Sequence, residues 1–330
     1  MKPTPGDVHV NAPLSNISVA FYQKREHFIA SSVFPNVPVL KQSDRYYTFD
    51  RGEFNRDEMQ KRAPGSETAG GGFTVDNTPT YYAPVRGFHK DIDDQTRANA
   101  DSMLNLERSA TNYVTHKYLI SKEKDWVTTY LTGGVWSYDY DGVSGSPGTN
   151  EVRQWDDYTN SDPLNDVDNA KEAILESTGY EPNKLVMGYA VWTALKNHPD
   201  IIDRIKYGQT AGEGPARVTL EALAALFELD QILVSKAIEN TAKEGQTASH
   251  SFIAGKKALL CYATPTPTLE EPTAGYTFSW TGYMGAAENG SRIKKYRIEK
   301  NASDRIEIEA AFDHKLVSAD LGAFWDTLVG

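Results

Sequence analysis

Residues 91–131 constrain the fold of this chain more than any other segment, because they contain neither proline nor glycine. Their apolar residues recur at the three- and four-residue steps of an amphipathic helix. These are Met103, Leu106, Ala110, Tyr113, Val114 and Ile120, with Leu104 and Leu119 widening the stripe. Asp93 and Asp94 stand at the start, where carboxylates suit the unpaired N–H groups and the positive end of a helix.

A helix from Asp91 to Ile120 would be roughly 45 Å long at ~1.5 Å per residue. That length exceeds what one compact core normally needs. The segment therefore predicts either a long helix in an ordinary two-layer domain or a strut that spans an elongated subunit.

Composition narrows the class of protein. The 330 residues are 39% hydrophobic and 24% charged, as in ordinary soluble proteins, and the length suggests about two domains. No apolar run approaches the ~20 residues that cross a bilayer, and residues 1–16 lack the apolar stretch of a secretory signal. The single cysteine, Cys261, cannot form an intrachain disulfide and is expected to pack in the core.

The net charge of −11 argues against a protein that grips nucleic acid, because phosphate binding needs a concentrated basic face. It does not argue against a protein that encloses nucleic acid without holding it tightly.

Residues 1–40 are interpreted as an extended arm, because five prolines interrupt regular structure there. Within this arm, Ile17–Ala30 is predicted to form one short amphipathic helix that docks on a surface. Residues 41–90 are predicted to form two strands, around Tyr46–Phe49 and Thr80–Phe88, joined by a long loop. Such a loop is typical of a binding element or of a flexible, solvated segment.

Charge patterning favours the binding interpretation of this loop without excluding the flexible one. Five acidic and five basic residues alternate closely between Asp44 and Arg62. Because the two signs cancel, they suit complementary contacts with a neighbouring protein rather than with a polyanion.

The second half of the chain has an α/β pattern. After an irregular region at 132–163, Asp162 and Gly179 are predicted to cap a helix at Leu164–Thr178. The further predicted helices are Tyr189–Asn197, Asp200–Tyr207 and Thr219–Leu229. The predicted strands are Lys184–Met187, Gln231–Ser235, Ser251–Tyr262 and Tyr276–Tyr283. Strict alternation in Arg305–Asp313 predicts a half-buried strand that pairs with Ile293–Lys300 as a hairpin.

Catalytic signatures are missing from the sequence. There is no phosphate-binding GxxxxGK[ST] motif, no GxSxG motif, and no HExxH or other metal-ligand spacing among the seven histidines. Residues Ser137–Gly142 resemble the first half of a calcium loop, but Gly148 occupies the place of the bidentate glutamate. We therefore predict no catalytic, cofactor-binding or metal-binding residues. The basic residues at 292–300 are interpreted as a salt-bridged strand edge.

The order of these elements resembles the major capsid protein of tailed bacteriophages, which has the Hong Kong 97-like fold. Two segments carry the resemblance most closely. Leu185–Gly208, LVMGYAVWTALKNHPDIIDRIKYG, is similar to the strand–helix signature of that family, and Val218–Ala237 is similar to the helix and central strand that follow.

The resemblance implies an α+β fold with four parts. Residues 1–40 would be the N-terminal arm and 41–90 the E-loop. Residues 91–179 and 291–316 would form the P-domain, with the spine helix, a second helix and the β-hairpin. Residues 180–290 and 317–330 would form a mixed α/β A-domain.

The same resemblance implies a head protein, not an enzyme, that assembles into hexamers and pentamers of an icosahedral shell around double-stranded DNA. It implies no cofactor and no membrane. A portal protein and a separate scaffold protein are the expected partners, and a decoration protein is a further candidate. The protein would be assembled in the host cytoplasm and located in the virion. Lys61 lies in the loop where some relatives form covalent cross-links, but nothing in the sequence identifies its acceptor.

We expect contacts between subunits to come mainly from the loop, with further contacts from the arm and the long helix. The predicted contact residues are Arg51, Glu53, Phe54, Arg56, Asp57, Glu58, Met59, Lys61, Arg62, Phe73, Phe21, Phe34, Arg97 and Arg108. Two alternatives remain open. One is an encapsulin-like nanocompartment shell, and the other is a soluble hydrolase or calcium-dependent enzyme that uses residues 137–163.

Overall fold

The computed structural model describes residues 22–49, 51–100, 105–208, 218–268, 271–285 and 290–330. Within these ranges the chain forms two main sheets and three two-stranded ladders. The strands are β1 (Asn36–Val39), β2 (Ser43–Arg45), β3 (Thr48–Phe49), β4 (Val75–Asp76), β5 (Thr80–Tyr82), β6 (Val85–Asp93), β7 (Tyr138–Val143), β8 (Glu151–Arg153), β9 (Lys184–Gly188), β10 (Gln231–Ser235), β11 (Ile238–Asn240), β12 (His250–Phe252), β13 (Ala258–Cys261), β14 (Gly275–Trp280), β15 (Ser291–Ile298), β16 (Ser303–Leu316) and β17 (Gly322–Asp326).

Helices cover both main sheets. They are α1 (Ala30–Val33), α2 (Arg51–Phe54), α3 (Asp94–Asn99), α4 (Leu106–Tyr130), α5 (Pro163–Thr178), α6 (Tyr189–Asn197), α7 (Pro199–Gly208), α8 (Leu220–Phe227) and α9 (Thr281–Met284).

Strand β16 organises the first sheet. Its residues 303–310 pair with both β15 and β6, and its residues 312–316 pair with β14, which also pairs with β1. Its apolar side chains Ile306 and Ile308 pack against Ala110 and Val114 of the long helix α4. The predicted hairpin and its half-buried second strand are therefore confirmed.

The second sheet has the strand order β10–β9–β13–β17–β7–β8 and is covered on both faces. Leu185 and Met187 of β9 face a core formed largely with α5, α6, α7 and α8. Val186, between them, faces a second core that contains the end of α4 and residues 29–34 of the arm. The uninterrupted apolar run in β9 reflects this double burial, since both of its faces contact protein.

The long helix begins later than the sequence suggested. Asn105 caps α4 by accepting a hydrogen bond from Arg108 N at 2.9 Å. Its 25 residues correspond to roughly 37 Å at ~1.5 Å per residue. The prediction of a continuous helix from Asp91 is wrong, because β6 continues to Asp93 in register with β16. The predicted stripe residues 103 and 104 lie outside the described part of the chain.

Local signals predicted the second half of the chain well. The Asp162 side chain accepts a hydrogen bond from the backbone N–H of Asn165, and Gly179 ends α5 in a left-handed conformation with φ 76°. The predicted strand at Ser251–Tyr262 is instead two strands, β12 and β13, separated by a turn at Gly255 with φ 60°. The irregular region at 132–163 contains two strands, β7 and β8, which the sequence did not reveal.

The arm is less detached than predicted. Strand β1 lies parallel to β14 of the same chain. Residues 22–30 do not form one helix, because a short 3₁₀ turn at Arg25–His27 is followed by extended backbone before α1. Residues 17–21 of the predicted helix, including Phe21, lie outside the described ranges.

Candidate assembly surfaces

Residues 51–74 form a loop at the end of a narrow ribbon. The ribbon consists of two antiparallel ladders, β2 with β5 and β3 with β4. Phe49, Phe54 and Phe73 contact one another at its tip, with ring centroids 5.3 to 6.2 Å apart. Their exposed fractions are 44%, 58% and 58%, and Met59 is 93% exposed. The tip thus displays an apolar cluster that its own subunit does not bury.

Short-range polar contacts shape this tip. The Glu53 carboxylate accepts hydrogen bonds from the backbone N–H and the hydroxyl of Thr74, which ties the two sides of the loop together. Arg56 lies 3.5 Å from Glu58, and both are exposed. Exposed pairs of this kind contribute only about 0–1 kcal/mol each, so they shape the tip more than they stabilise the fold.

The remaining predicted contact residues fall into three groups. Asp57, Glu58, Lys61 and Arg62 are exposed on the loop with Phe54 and Met59, whereas the Arg51 side chain lies outside the described part of the structure. Arg108 is exposed on α4, and Arg97 is half-exposed and forms an ion pair with Asp304 at 2.6 Å. Phe34 is 1% exposed and stacks edge-on to Trp126 and Tyr130 of its own subunit. The prediction of an intersubunit contact is therefore wrong for Phe34, because its side chain has no free surface.

A second exposed surface lies where β6 meets the flank of α4. Phe88 and Tyr113 are 40% and 36% exposed, with ring centroids 5.8 Å apart. The ammonium groups of Lys90 and Lys117 lie 5.3 and 5.6 Å from the Tyr113 ring centroid. We call these four residues the flank patch. This patch was not predicted from the sequence, although the i, i+4 spacing of Tyr113 and Lys117 on a helix was a visible signal.

The basic stretch of β15 is neutralised within its own subunit. Arg292 and Lys294 bind Glu309 at 2.8 and 2.6 Å, and Lys295 binds Glu107 at 2.7 Å. Arg297 pairs with Asp94 and Asp304. The interpretation of this stretch as a salt-bridged edge is confirmed, and the basic cluster does not form a free phosphate-binding face.

A buried carboxylate fixes the arm to the long helix. Glu123 of α4 is 0% exposed and accepts hydrogen bonds from the backbone N–H groups of Ile29 and Ala30, each at 2.8 Å. It also accepts a hydrogen bond from the Ser235 hydroxyl at 2.7 Å. Burial raises the pKa of Glu123 despite these donors. One side chain therefore connects the arm, the long helix and the edge strand of the second sheet.

A buried histidine lies on the other side of α4. His314 of β16 is 8% exposed, and its Nδ1 lies 2.9 Å from the Thr277 hydroxyl. Burial, and then the positive charges of Lys122 and Arg86, lower the pKa of His314 to about 3. The histidine is therefore neutral in the folded subunit at ordinary pH.

We expect His314 to lower the free energy of unfolding as the pH drops below about 6.5. The unfolded chain then protonates His314, whereas the folded chain keeps it neutral down to about pH 3. The unfolded state binds more protons in this window, so the contribution of His314 declines by up to about 1.4 kcal/mol per pH unit. Urea unfolding at a series of pH values measures this slope.

His314→Gln should remove this contribution, so that its free energy of unfolding at pH 4, relative to pH 6, is higher than that of the native chain. His250→Gln replaces an exposed histidine and serves as the matched control. Equal slopes for the native chain and His314→Gln would contradict the assignment.

Polar residues in the 137–163 segment, which the enzyme alternative would use, form hydrogen bonds within the fold. Residues 138–143 are strand β7, not a calcium loop, and Ser137 donates a hydrogen bond to Asp320. Ser161 Oγ lies 3.0 Å from His198 Nε2, but both residues are buried. The described residues contain no group of three His, Cys, Asp or Glu that could hold a metal ion. In the same residues, no helix is long and apolar enough to cross a membrane.

Comparison with known proteins finds similar phage capsid proteins. The family described as phage major capsid protein E matches residues 146–285. The major capsid protein of Pseudomonas phage JBD67 is 28% identical over 97% of both chains. That of Burkholderia phage BcepMu is 25% identical over 95% of this chain and 94% of the other. The chain is thus similar over nearly its whole length to phage major capsid proteins.

Solved structures share the mixed α+β fold of this chain. A phage-related protein from Bordetella bronchiseptica RB50 covers 93% of this chain and 94% of its own, with a TM-score of 0.67 and 23% identity. The capsid structure of cyanophage P-SCSP1u has a TM-score of 0.62 and 9% identity, over 97% of this chain and 93% of the other. The SrpI encapsulin complex of Synechococcus elongatus has a TM-score of 0.55 and 11% identity, over 97% of this chain and 96% of the other.

Proposed function

We propose that this capsid protein builds an icosahedral shell of hexamers and pentamers around the double-stranded DNA of a tailed phage. The apolar loop tip carries this proposal. Phe54, Phe73 and Met59 are displayed on a ribbon that leaves the body of the subunit, and exposed apolar clusters of this kind mark contacts with other proteins. A second copy of the chain is the partner that a shell supplies.

The proposed layout of the subunit is the Hong Kong 97-like one. Residues 1–40 act as the arm and 41–90 as the E-loop. Residues 91–179 and 291–316 form the P-domain, and 180–290 with 317–330 form the A-domain. Two features support this division. The long helix α4 crosses the β6–β16–β15 sheet, and the six-stranded sheet has its own core with α5 to α8.

Assembly relies on many weak contacts. The loop of one subunit lies over the long helix and hairpin of its neighbour, and the arm adds a further contact. Exposed ion pairs are worth only about 0–1 kcal/mol each, so stability comes from their repetition by symmetry together with the apolar tip. The role is structural, not enzymatic, and needs no cofactor.

The proposed partners and location follow from the same shell. A portal protein and a separate scaffold protein take part in assembly in the host cytoplasm, and a decoration protein is a further candidate. The finished protein is located in the virion. The net charge of −11 suits a wall that encloses DNA without adsorbing it.

Size-exclusion chromatography followed by negative-stain electron microscopy of the purified protein tests this function. We expect rings, sheets or closed shells, because the apolar tip is buried only between copies. A species that stays monomeric at high concentration, with or without co-expressed scaffold protein, would overturn the proposal.

An encapsulin-like nanocompartment shell is the second candidate, favoured by the fold shared with the SrpI encapsulin complex. The contents of purified particles separate the two. Packaged DNA supports the phage head, and a co-purifying cargo enzyme supports the nanocompartment.

A further inference from the structure

Lys122 of the long helix α4 is buried inside its own subunit. Its side chain is 2% exposed, and its ammonium group has no hydrogen-bond partner among the described residues. Burial lowers the pKa of Lys122 to about 8, so the amine keeps its proton at pH 7. Because an uncompensated buried charge is strongly unfavourable, buried charges in proteins are paired with other groups. The ammonium group therefore needs an acceptor.

A second unpartnered nitrogen atom lies beside the same aromatic ring. The ammonium nitrogen of Lys122 is 5.1 Å from the ring centroid of Phe312 in β16. The ring of His314 also lies 5.1 Å from the Phe312 ring, and the two residues share one face of the strand. The Nε2 atom of His314 has no partner among the described residues. Two buried nitrogen atoms thus converge on one ring without an acceptor.

The hydrogen bond on the other side of His314 makes Nε2 a donor. The Thr277 hydroxyl is buried and lies 2.9 Å from Nδ1. We assign the hydroxyl proton to this bond, since a buried hydroxyl needs an acceptor. Burial, and then the charges of Lys122 and Arg86, keep the pKa of His314 at about 3, so its ring is neutral at pH 7. The single proton of the neutral ring is therefore on Nε2.

The neighbouring carboxylates bind other groups. Glu123 follows Lys122 in the chain, but its oxygen atoms accept hydrogen bonds from the arm and from Ser235. Asp313 is adjacent to both Phe312 and His314 but points to the opposite face of β16, where it accepts a hydrogen bond from the backbone of Tyr82. Asp125 of α4 pairs with Arg86 at 3.2 Å.

We propose that Lys122 and His314 bind a small monovalent anion of the chloride class in the core between α4 and β16. The ammonium group supplies the opposite charge, and Nε2–H supplies a second donor. The two groups together carry one positive charge, which suits a monovalent ion, and their burial restricts the site to a small one. The bound ion joins the long helix to the strand beneath it. This inference is independent of the shell function.

Unfolding in two salts tests the site. The purified protein is heated at pH 7 in sodium chloride and in sodium gluconate of equal ionic strength, because gluconate is too large for a buried site. An ion that binds only the folded protein stabilises it by mass action. We expect the unfolding midpoint to be at least about 2 °C higher in chloride, the shift that a stabilisation near 1 kcal/mol produces.

Two variants show whether Lys122 is responsible. Lys122→Met removes the charge and keeps an apolar chain of similar length, so it should abolish the difference between the two salts even if it changes the overall stability. The matched control, Lys117→Met, replaces an exposed lysine of the same helix and should keep the difference. Equal midpoints of the native chain in the two salts, or a difference that persists in Lys122→Met, would overturn the proposal.

Bromide locates the ion directly. Anomalous diffraction from crystals of the protein soaked in sodium bromide should show a peak between Lys122 Nζ and His314 Nε2. A water molecule in that place, or bromide bound only at the surface as an adventitious ion, would overturn the site. Particle formation is measured separately, so none of these results decides the shell function.

Discussion

Removing residues 52–72 is expected to abolish closed shells while leaving the subunit folded. Phe49 of β3 pairs with Val75 of β4, so the deletion leaves four residues between them, a length that hairpin loops commonly have. The deleted residues contribute almost nothing to the core, because the side chains described there are exposed or only partly buried. Electron microscopy of the purified variant, beside the native chain, measures the loss of particles.

Two further measurements make the deletion informative. The unfolding midpoint of the variant should lie close to that of the native chain, since no buried apolar residue is removed. A matched control that keeps the length of the loop and replaces Phe54 and Met59 with serine should also assemble poorly, because the apolar surface is what the neighbour buries. Normal shells from the deletion variant would refute the role of the loop.

Glu123→Ala is expected to lower the free energy of unfolding by about 3 kcal/mol or more. The substitution leaves the N–H groups of Ile29 and Ala30 and the Ser235 hydroxyl buried without their acceptor. Each unsatisfied buried donor costs about 1–3 kcal/mol. Denaturant unfolding of the subunit, followed by far-UV circular dichroism, measures the change.

Glu123→Gln keeps one acceptor oxygen in nearly the same shape, so its loss of stability should be smaller. Glu176→Ala removes an exposed glutamate from α5 and should change the stability by less than about 0.5 kcal/mol. If Glu123→Ala and Glu176→Ala were equally stable, the carboxylate would not be the anchor of the arm.

Elements with local signals were predictable from the sequence. The ends of α5 are set by caps that act within a few residues, with Asp162 and Pro163 at its start and Gly179 at its end. The alternation along β16 likewise shows its buried face directly. The loop was recognisable because its balanced charges and glycines make a compact core impossible there.

Elements decided by distant partners were not predictable. Residues 91–93 suit a helix start as well as a strand end, and pairing with residues 303–305 decides in favour of the strand. The arm contains prolines that suggest a detached segment, but Phe34 fills a space between Trp126 and Tyr130 that no local pattern reveals. The flank patch was missed for the same reason, since its two halves are about two dozen residues apart in the sequence.

The position of β16 and β17 has a consequence for synthesis of the protein. Residues 303–316 join β6, β14 and β15, and residues 322–326 lie between β13 and β7. Neither sheet can close until the ribosome has made these two strands, because both are interior to their sheets. A nascent subunit therefore completes the two sheets that carry its loop only after residues 322–326 have left the ribosome.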